Sequence, residues 1–85
     1  MKLDQRIMRL IAVGASVPAN CQPCLEINVA EALKNGSDRQ EVAEAIQVGK
    51  MVRQAAGSNM DRFAEGQQYV AHSSEKEAES GCGCQ

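Results

Sequence analysis

The spacing of apolar residues along the chain predicts helices. Near the N-terminus, apolar side chains recur every three or four residues, at Leu3, Ile7, Leu10 and Ile11. This period matches one face of an α-helix, and charged residues fill the other side. Gly14 and Ser16 are expected to end this first helix, and Pro18 prevents it from continuing.

A second helix is predicted to begin near Asn20, because asparagine is a favoured N-cap residue. Pro23 falls in its first turn, where the missing N–H costs nothing. The helix is expected to run to about Asn35, and Gly36 suits the left-handed conformation that often ends a helix. Its apolar stripe consists of Leu25, Val29, Ala32 and Leu33.

A third helix has the most distinct start. Ser37 and Gln40 match a capping box. Asp38 and Glu41 would lie in the first turn, where the helix dipole favours acidic side chains. Two faces of this helix are apolar or small, one with Val42, Ala45, Ile46, Gly49, Val52 and Ala56, the other with Val48, Met51 and Ala55. Such a helix is expected to pack against more than one neighbour, and its small residues indicate a close crossing.

The pattern changes at Gly57 and Ser58, which are expected to break the third helix. Asn59 is suited to cap a fourth helix, with helical spacing at Met60, Phe63, Ala64, Gln67, Val70 and Ala71. We therefore predict an all-α fold, a small bundle of about four helices over residues 1–72. A flexible polar tail is predicted over residues 73–85, which end Gly-Cys-Gly-Cys-Gln.

Large apolar residues are few for a self-contained core. Leu, Ile, Val and Phe together supply 16 of the 85 residues, and tryptophan is absent. At the usual free energy per area of buried apolar surface, a core of this size is marginal. We therefore expect several copies of the chain to associate and complete it.

Charge and the N-terminal segment exclude several classes of function. The formal net charge of -2 gives no reason to expect nucleic acid or an anionic membrane as a partner. No apolar run is long enough to span a bilayer, and the first residues lack the apolar stretch of a secretory signal. We expect a cytoplasmic protein, in which cysteines are more often redox-active or metal-binding than structural.

The chemistry of the sequence is concentrated in Cys21 and Cys24 at the start of the second helix. Two cysteines three positions apart can form a disulfide, and the free N–H groups of a helix N-terminus favour a thiolate. The pair thus supplies a nucleophile and its resolving partner. The alternative is that one cysteine is simply a small buried apolar residue. The sequence leaves open which cysteine attacks.

Metal binding is a competing interpretation. Two cysteines provide only two ligands, whereas a structural zinc site needs four. Cys82 and Cys84 in the tail would complete a four-cysteine set with Cys21 and Cys24 for a soft metal or metalloid. Cysteines separated by one residue on a glycine-rich tail are unusual for structural zinc, so this interpretation is the minor alternative.

The segment that begins Cys21-Gln22-Pro23-Cys24 resembles a known family. It continues through Ala-Leu-Lys-Asn-Gly, ending at Gly36, into Ser-Asp-Arg-Gln-Glu-Val-Ala-Glu-Ala-Ile, starting at Ser37. This order resembles the carboxymuconolactone decarboxylase-like superfamily, and more narrowly its alkylhydroperoxidase D branch, over roughly residues 3–63. The resemblance implies an all-α fold that assembles into trimers or hexamers. It also implies a dithiol that reduces hydroperoxides and is recharged by an electron donor.

Two positions depart from that branch. The resemblance implies a proton-shuttling His four residues after the second cysteine and a Glu twelve residues before the first, where this chain has Asn28 and Arg9. Neither side chain exchanges protons near neutral pH. Glu31, one turn beyond Asn28, is a possible replacement base but is more simply a solvated helix residue. His72, the only histidine, is interpreted as a surface residue.

These observations predict a thiol–disulfide redox protein, with Cys21 and Cys24 as the catalytic pair and Asn28, Glu31 and Arg9 as possible supporting residues. The alternatives are the soft-metal-binding module and a family member that has lost the chemistry. No cofactor is expected. The expected partners are further copies of the chain, a hydroperoxide or disulfide substrate, and a donor protein or thiol.

Overall fold

The computed structural model describes residues 1–67 and 69, and this part of the chain is helical. Helix α1 comprises Gln5–Ser16, α2 Gln22–Lys34 and α3 Arg39–Glu65. The predicted all-α class is confirmed. No helix in the described part is both long and apolar enough to cross a membrane. The predicted tail lies outside the described residues.

Helix α1 begins one residue after Asp4, whose carboxylate accepts a hydrogen bond from the Ile7 N–H at 2.9 Å. Leu3 therefore precedes the helix rather than starting its apolar stripe. The helix ends at Ser16 as predicted, but Gly14 lies within it instead of ending it. A Cβ atom at Gly14 would lie 3.0 Å from the Ala45 carbonyl oxygen, so this glycine serves the contact with α3.

Asn20 was predicted as the N-cap of α2, but the N-cap is Cys21. Asn20 has a positive φ of 57°, a left-handed conformation that asparagine tolerates better than most residues and that is incompatible with capping. The predicted C-terminus is confirmed to within a residue, with Asn35 as C-cap and Gly36 at a φ of 102°. The Ser37 N–H donates to the Ala32 carbonyl at 2.9 Å and completes this end of the helix.

Helix α3 begins with a capping box one residue later than predicted. Asp38, not Ser37, accepts from the Glu41 N–H at 2.8 Å, and the Glu41 carboxylate accepts from the Asp38 N–H at 3.1 Å. The reason is that the Ser37 N–H already belongs to the end of α2. The predicted break at Gly57 and Ser58 is wrong, because α3 continues through both.

The described residues therefore form three helices instead of about four. A glycine inside a helix costs only about 1 kcal/mol relative to alanine, which the helix-forming residues on either side outweigh. The residues assigned to the start of a separate fourth helix, from Asn59 to Glu65, extend α3 instead.

The core is small, as the composition predicted. Its fully or nearly buried residues are Val13, Ala32 and Val42, one from each helix. Partly buried residues surround them, namely Leu10, Leu25, Val29, Ala45 and Ile46. An ion pair at 2.7 Å between Arg6 and Glu41 also joins α1 to α3. Because both side chains are about a third or more exposed, this pair contributes little stability.

Helices α1 and α3 cross where Gly14 meets Gly49, which confirms the close crossing indicated by the small residues. A Cβ atom at Gly49 would collide with the Gly14 carbonyl oxygen and approach the Val17 Cβ to 3.0 Å. The nearest atom is a backbone oxygen, so rotation of a side chain cannot relieve this collision. At Gly57, in contrast, a Cβ atom would have no neighbouring atom within 4 Å.

We predict opposite effects for alanine at these two glycines. Gly49→Ala should lower the free energy of unfolding by about 1–3 kcal/mol, because the helices must separate to admit the methyl group. Gly57→Ala should raise it by about 0.5–1 kcal/mol, because alanine favours the helix and meets open space. Urea unfolding followed by circular dichroism measures both. Equal effects of the two substitutions would contradict the described crossing.

Part of the predicted apolar surface is exposed. Val48 and Met51 on the second face of α3 are more than half exposed, as is Ile11 on α1. Val52, predicted on the same face as Val42 and Ile46, is also 53% exposed, and so belongs to this outer surface. Ile11, Val48 and Val52 line a shallow apolar groove along the α1–α3 crossing. The second face of α3 is thus largely exposed in the described part of a single chain.

Candidate functional site

Cys21 and Cys24 form a disulfide at the start of α2, with their Cα atoms 5.2 Å apart. Cys21 is the N-cap, and Cys24 lies in the first turn. The Cys24 N–H donates to the Cys21 sulfur at 3.3 Å. Cys21 is partly buried, whereas Cys24 is exposed. The predicted pairing distance and helix-start location are therefore both present.

This geometry distinguishes the two sulfurs once they are reduced. A thiolate at Cys21 would keep the backbone N–H of Cys24 as a donor and face the positive end of the helix dipole. These are the surroundings that make a cysteine nucleophilic. Cys24 follows within one turn and can reach Cys21 to close the disulfide, while its exposure leaves it open to an external thiol.

Arg9 and Asn28, the two positions that depart from the expected proton relay, are in contact. The Arg9 Nη1 donates to the Asn28 Oδ1 at 2.9 Å. The Asn28 Nδ2 donates in turn to the Cys24 carbonyl oxygen at 2.8 Å. Hydrogen bonds thus link Arg9 through Asn28 to the backbone of Cys24. Neither a guanidinium nor an amide acts as an acid or base near neutral pH, so this connection is not a proton relay.

A groove of about 300 Å³ opens beside Cys21 at the junction of α1 and α2. Helix α3 forms one side of it with Ile46, Lys50 and Arg53. Their spacing of four and three residues places them in one row along the helix. Leu25 adds an apolar wall from α2. The groove therefore combines a disulfide-bonded cysteine, apolar surface and two cations.

Arg53 is held against the junction that precedes the cysteines. Its Nη1 lies 3.4 Å from both the Val17 carbonyl oxygen and the Asn20 Oδ1. Both acceptors are neutral, so the positive charge of the guanidinium is not compensated by them. No acidic side chain of the described residues lines the groove, and neither Lys50 nor Arg53 forms an ion pair with any of them.

Comparison with known proteins identifies the family. The family model for the carboxymuconolactone decarboxylase family matches residues 1–65, which include all three helices and both cysteines. The chain belongs to this family. No curated protein and no solved structure gives a match.

Two functional candidates in this carboxymuconolactone decarboxylase family member, Lys50 and Arg53, were missed in the sequence. Both continue the apolar row that contains Ile46, at the next helical turns. A change from apolar to cationic residues along one row was the available signal. This change alone does not indicate a site, because only the crossing of α1 and α3 brings the row close to Cys21.

Glu31 is the remaining predicted site residue within the described part of the chain. The Glu31 side chain is partly buried and forms no hydrogen bond or ion pair with another described residue. The described part of this family member contains no cluster of three or more His, Cys, Asp or Glu side chains able to hold a metal. His72, Cys82 and Cys84 lie outside the described residues, so the four-cysteine site stays a prediction.

Proposed function

We propose that this family member is a thiol–disulfide redox protein that reduces hydroperoxides through Cys21 and Cys24, as the alkylhydroperoxidase D branch does. The observation that carries the proposal is the cysteine pair closed as a disulfide across the first turn of α2. A helix N-terminus favours the thiolate, and the second sulfur lies within bonding reach of the first. Family membership supports the same interpretation.

The proposed oxidation of the cysteine pair has two steps. The thiolate of the attacking cysteine takes the terminal oxygen of the hydroperoxide, which breaks the O–O bond and leaves a sulfenic acid and an alkoxide. The alkoxide takes a proton and leaves as the alcohol. The second cysteine then attacks the sulfenic sulfur, forms the disulfide and releases water. A donor dithiol returns two electrons and two protons by thiol–disulfide exchange, and becomes a disulfide itself.

We assign the attack to Cys21 and the resolving step to Cys24. Cys21 accepts the helix N–H bond and lines the cationic groove, and both features stabilise a thiolate. Cys24 does not line the groove, but it is exposed. An incoming donor thiol can therefore approach Cys24 from solvent more readily than it can approach the partly buried Cys21.

Proton transfer to the alkoxide is expected to be the slow step of the proposed cycle. Arg9 and Asn28 occupy the two relay positions, and neither can deliver a proton to the leaving alkoxide. We therefore propose that water supplies this proton. The expected consequence is slower turnover than a relay-bearing site would give, without loss of the reaction.

We also propose that the chain acts as a cytoplasmic homo-oligomer. The support is the small core together with the exposed apolar residues Ile11, Val48, Met51 and Val52. Burying such a surface between copies would remove apolar area from water. Light scattering of the purified protein should give a mass of three or six chains, and a monomer at micromolar concentration would contradict this part.

The test of the redox proposal is turnover. Purified protein, an organic hydroperoxide and excess dithiothreitol should consume the hydroperoxide catalytically, many equivalents per chain. The matched control is Cys21→Ser/Cys24→Ser, which keeps Cys82 and Cys84. If wild type and control consume hydroperoxide at the same rate, the proposed function is wrong.

A further inference from the structure

We propose that Lys50 and Arg53 make the groove beside Cys21 a binding site for a carboxylate, so that the preferred hydroperoxides are those of carboxylic acids. This inference rests on the proposed function and names the substrate class of the same site. The juxtaposition that carries it is Cys21 with two cations in one groove.

The charges in the groove are of one sign. Its lining contains Lys50 and Arg53 and no acidic residue, and the described part of the chain offers neither of them an ion-pair partner. Cations left without a counter-charge in a concave site attract an anion from solution. Arg53 is already oriented, because its Nη1 contacts the neutral oxygens of Val17 and Asn20.

A carboxylate suits this arrangement. A guanidinium presents several N–H donors in a planar fork, of which one nitrogen is engaged here, and a carboxylate can accept from the fork with two oxygens. Lys50, one turn away in the same row, adds a second charge.

The remainder of the groove suits a short hydrocarbon. Leu25 and Ile46 add apolar surface to the lining that contains the cations and Cys21. A volume of about 300 Å³ is at the lower end of small-molecule sites, so a medium-chain acid fits better than a bulky ligand. A carboxylate held by Lys50 and Arg53 would leave a hydroperoxide group further along the chain to meet the Cys21 thiolate.

The test compares a hydroperoxide of a medium-chain carboxylic acid with its methyl ester. Both are reacted with reduced wild type, with Lys50→Gln and with Lys50→Gln/Arg53→Gln, and the second-order rate constant of thiol oxidation is measured at low salt. The readout is the rate constant for the acid divided by the rate constant for the ester, because thiol reactivity and folding affect both rate constants alike. The charge-matched control is Lys34→Gln/Arg39→Gln, whose residues are exposed and lie outside the groove.

We expect the acid to react about tenfold faster than the ester with wild type, since each exposed cation contributes up to about fivefold. The ratio should fall to near one in the double variant, fall partly in Lys50→Gln, and stay unchanged in the control. Equal rates for acid and ester with wild type overturn the inference while the redox function stands. If neither substrate oxidises the thiols, the proposed function itself fails.

Discussion

Replacing Cys21 with serine is expected to abolish hydroperoxide-dependent turnover, lowering the rate by roughly 10³-fold or more, because a hydroxyl group is not ionised at neutral pH and cannot replace the thiolate nucleophile. Cys24→Ser should behave differently. It retains the Cys21 thiolate, which would react with one equivalent of hydroperoxide and stop as a sulfenic acid. Intact mass after dimedone treatment measures that adduct.

The tail cysteines must be controlled in this experiment. Both substitutions are therefore also made in a chain that carries Cys82→Ser and Cys84→Ser, so that any adduct can lie only at position 21 or 24. A dimedone adduct on Cys24 in the Cys21→Ser chain, with none on Cys21 in the Cys24→Ser chain, would reverse the assigned roles. Circular dichroism shows whether each variant retains its helices.

Restoring a proton relay is expected to accelerate the protein. The double variant Arg9→Glu/Asn28→His places a carboxylate and an imidazole where the Arg9 guanidinium now meets the Asn28 amide at 2.9 Å. An imidazole oriented by a carboxylate can deliver a proton to the leaving alkoxide. We expect the second-order rate with an organic hydroperoxide to rise by about 10²-fold, within the usual range for general acid–base catalysis.

One single variant and an amide control test this prediction further. Asn28→His alone should gain less, because the Arg9 cation beside the imidazole disfavours its protonated form. Arg9→Glu/Asn28→Gln carries the same carboxylate beside a side chain that cannot exchange protons, and should show no acceleration. A double variant no faster than this control would mean that proton delivery does not limit the reaction.

The sequence contained the local features of the fold. Helical spacing predicted the all-α class, Gly36 the end of α2, and the small residues on α3 the crossing at Gly49. Asn20 and Pro23 predicted a helix start at the cysteine pair, although the N-cap is Cys21 itself. These features depend on neighbouring residues in the chain, and short-range rules describe them well.

The remaining features depended on competing preferences or distant contacts. Asn20 is suited both to an N-cap and to a left-handed turn, and the fold uses the second. Gly57 weakens a helix without having to end it. Lys50 and Arg53 share a groove with Cys21 only because α3 crosses α1. No local sequence pattern specifies that crossing.

The most direct test of the account is the location of the first disulfide formed. Fully reduced, metal-free protein of residues 1–85 is treated with one equivalent of an organic hydroperoxide, the remaining thiols are alkylated at successive times, and peptides are mapped by mass spectrometry. We expect Cys21 and Cys24 to lose their thiols at the same rate, because they form one disulfide with each other. This loss should be faster than that of a free thiol peptide. Oxidation confined to Cys82 and Cys84, with Cys21 and Cys24 still open to alkylation, would contradict the account.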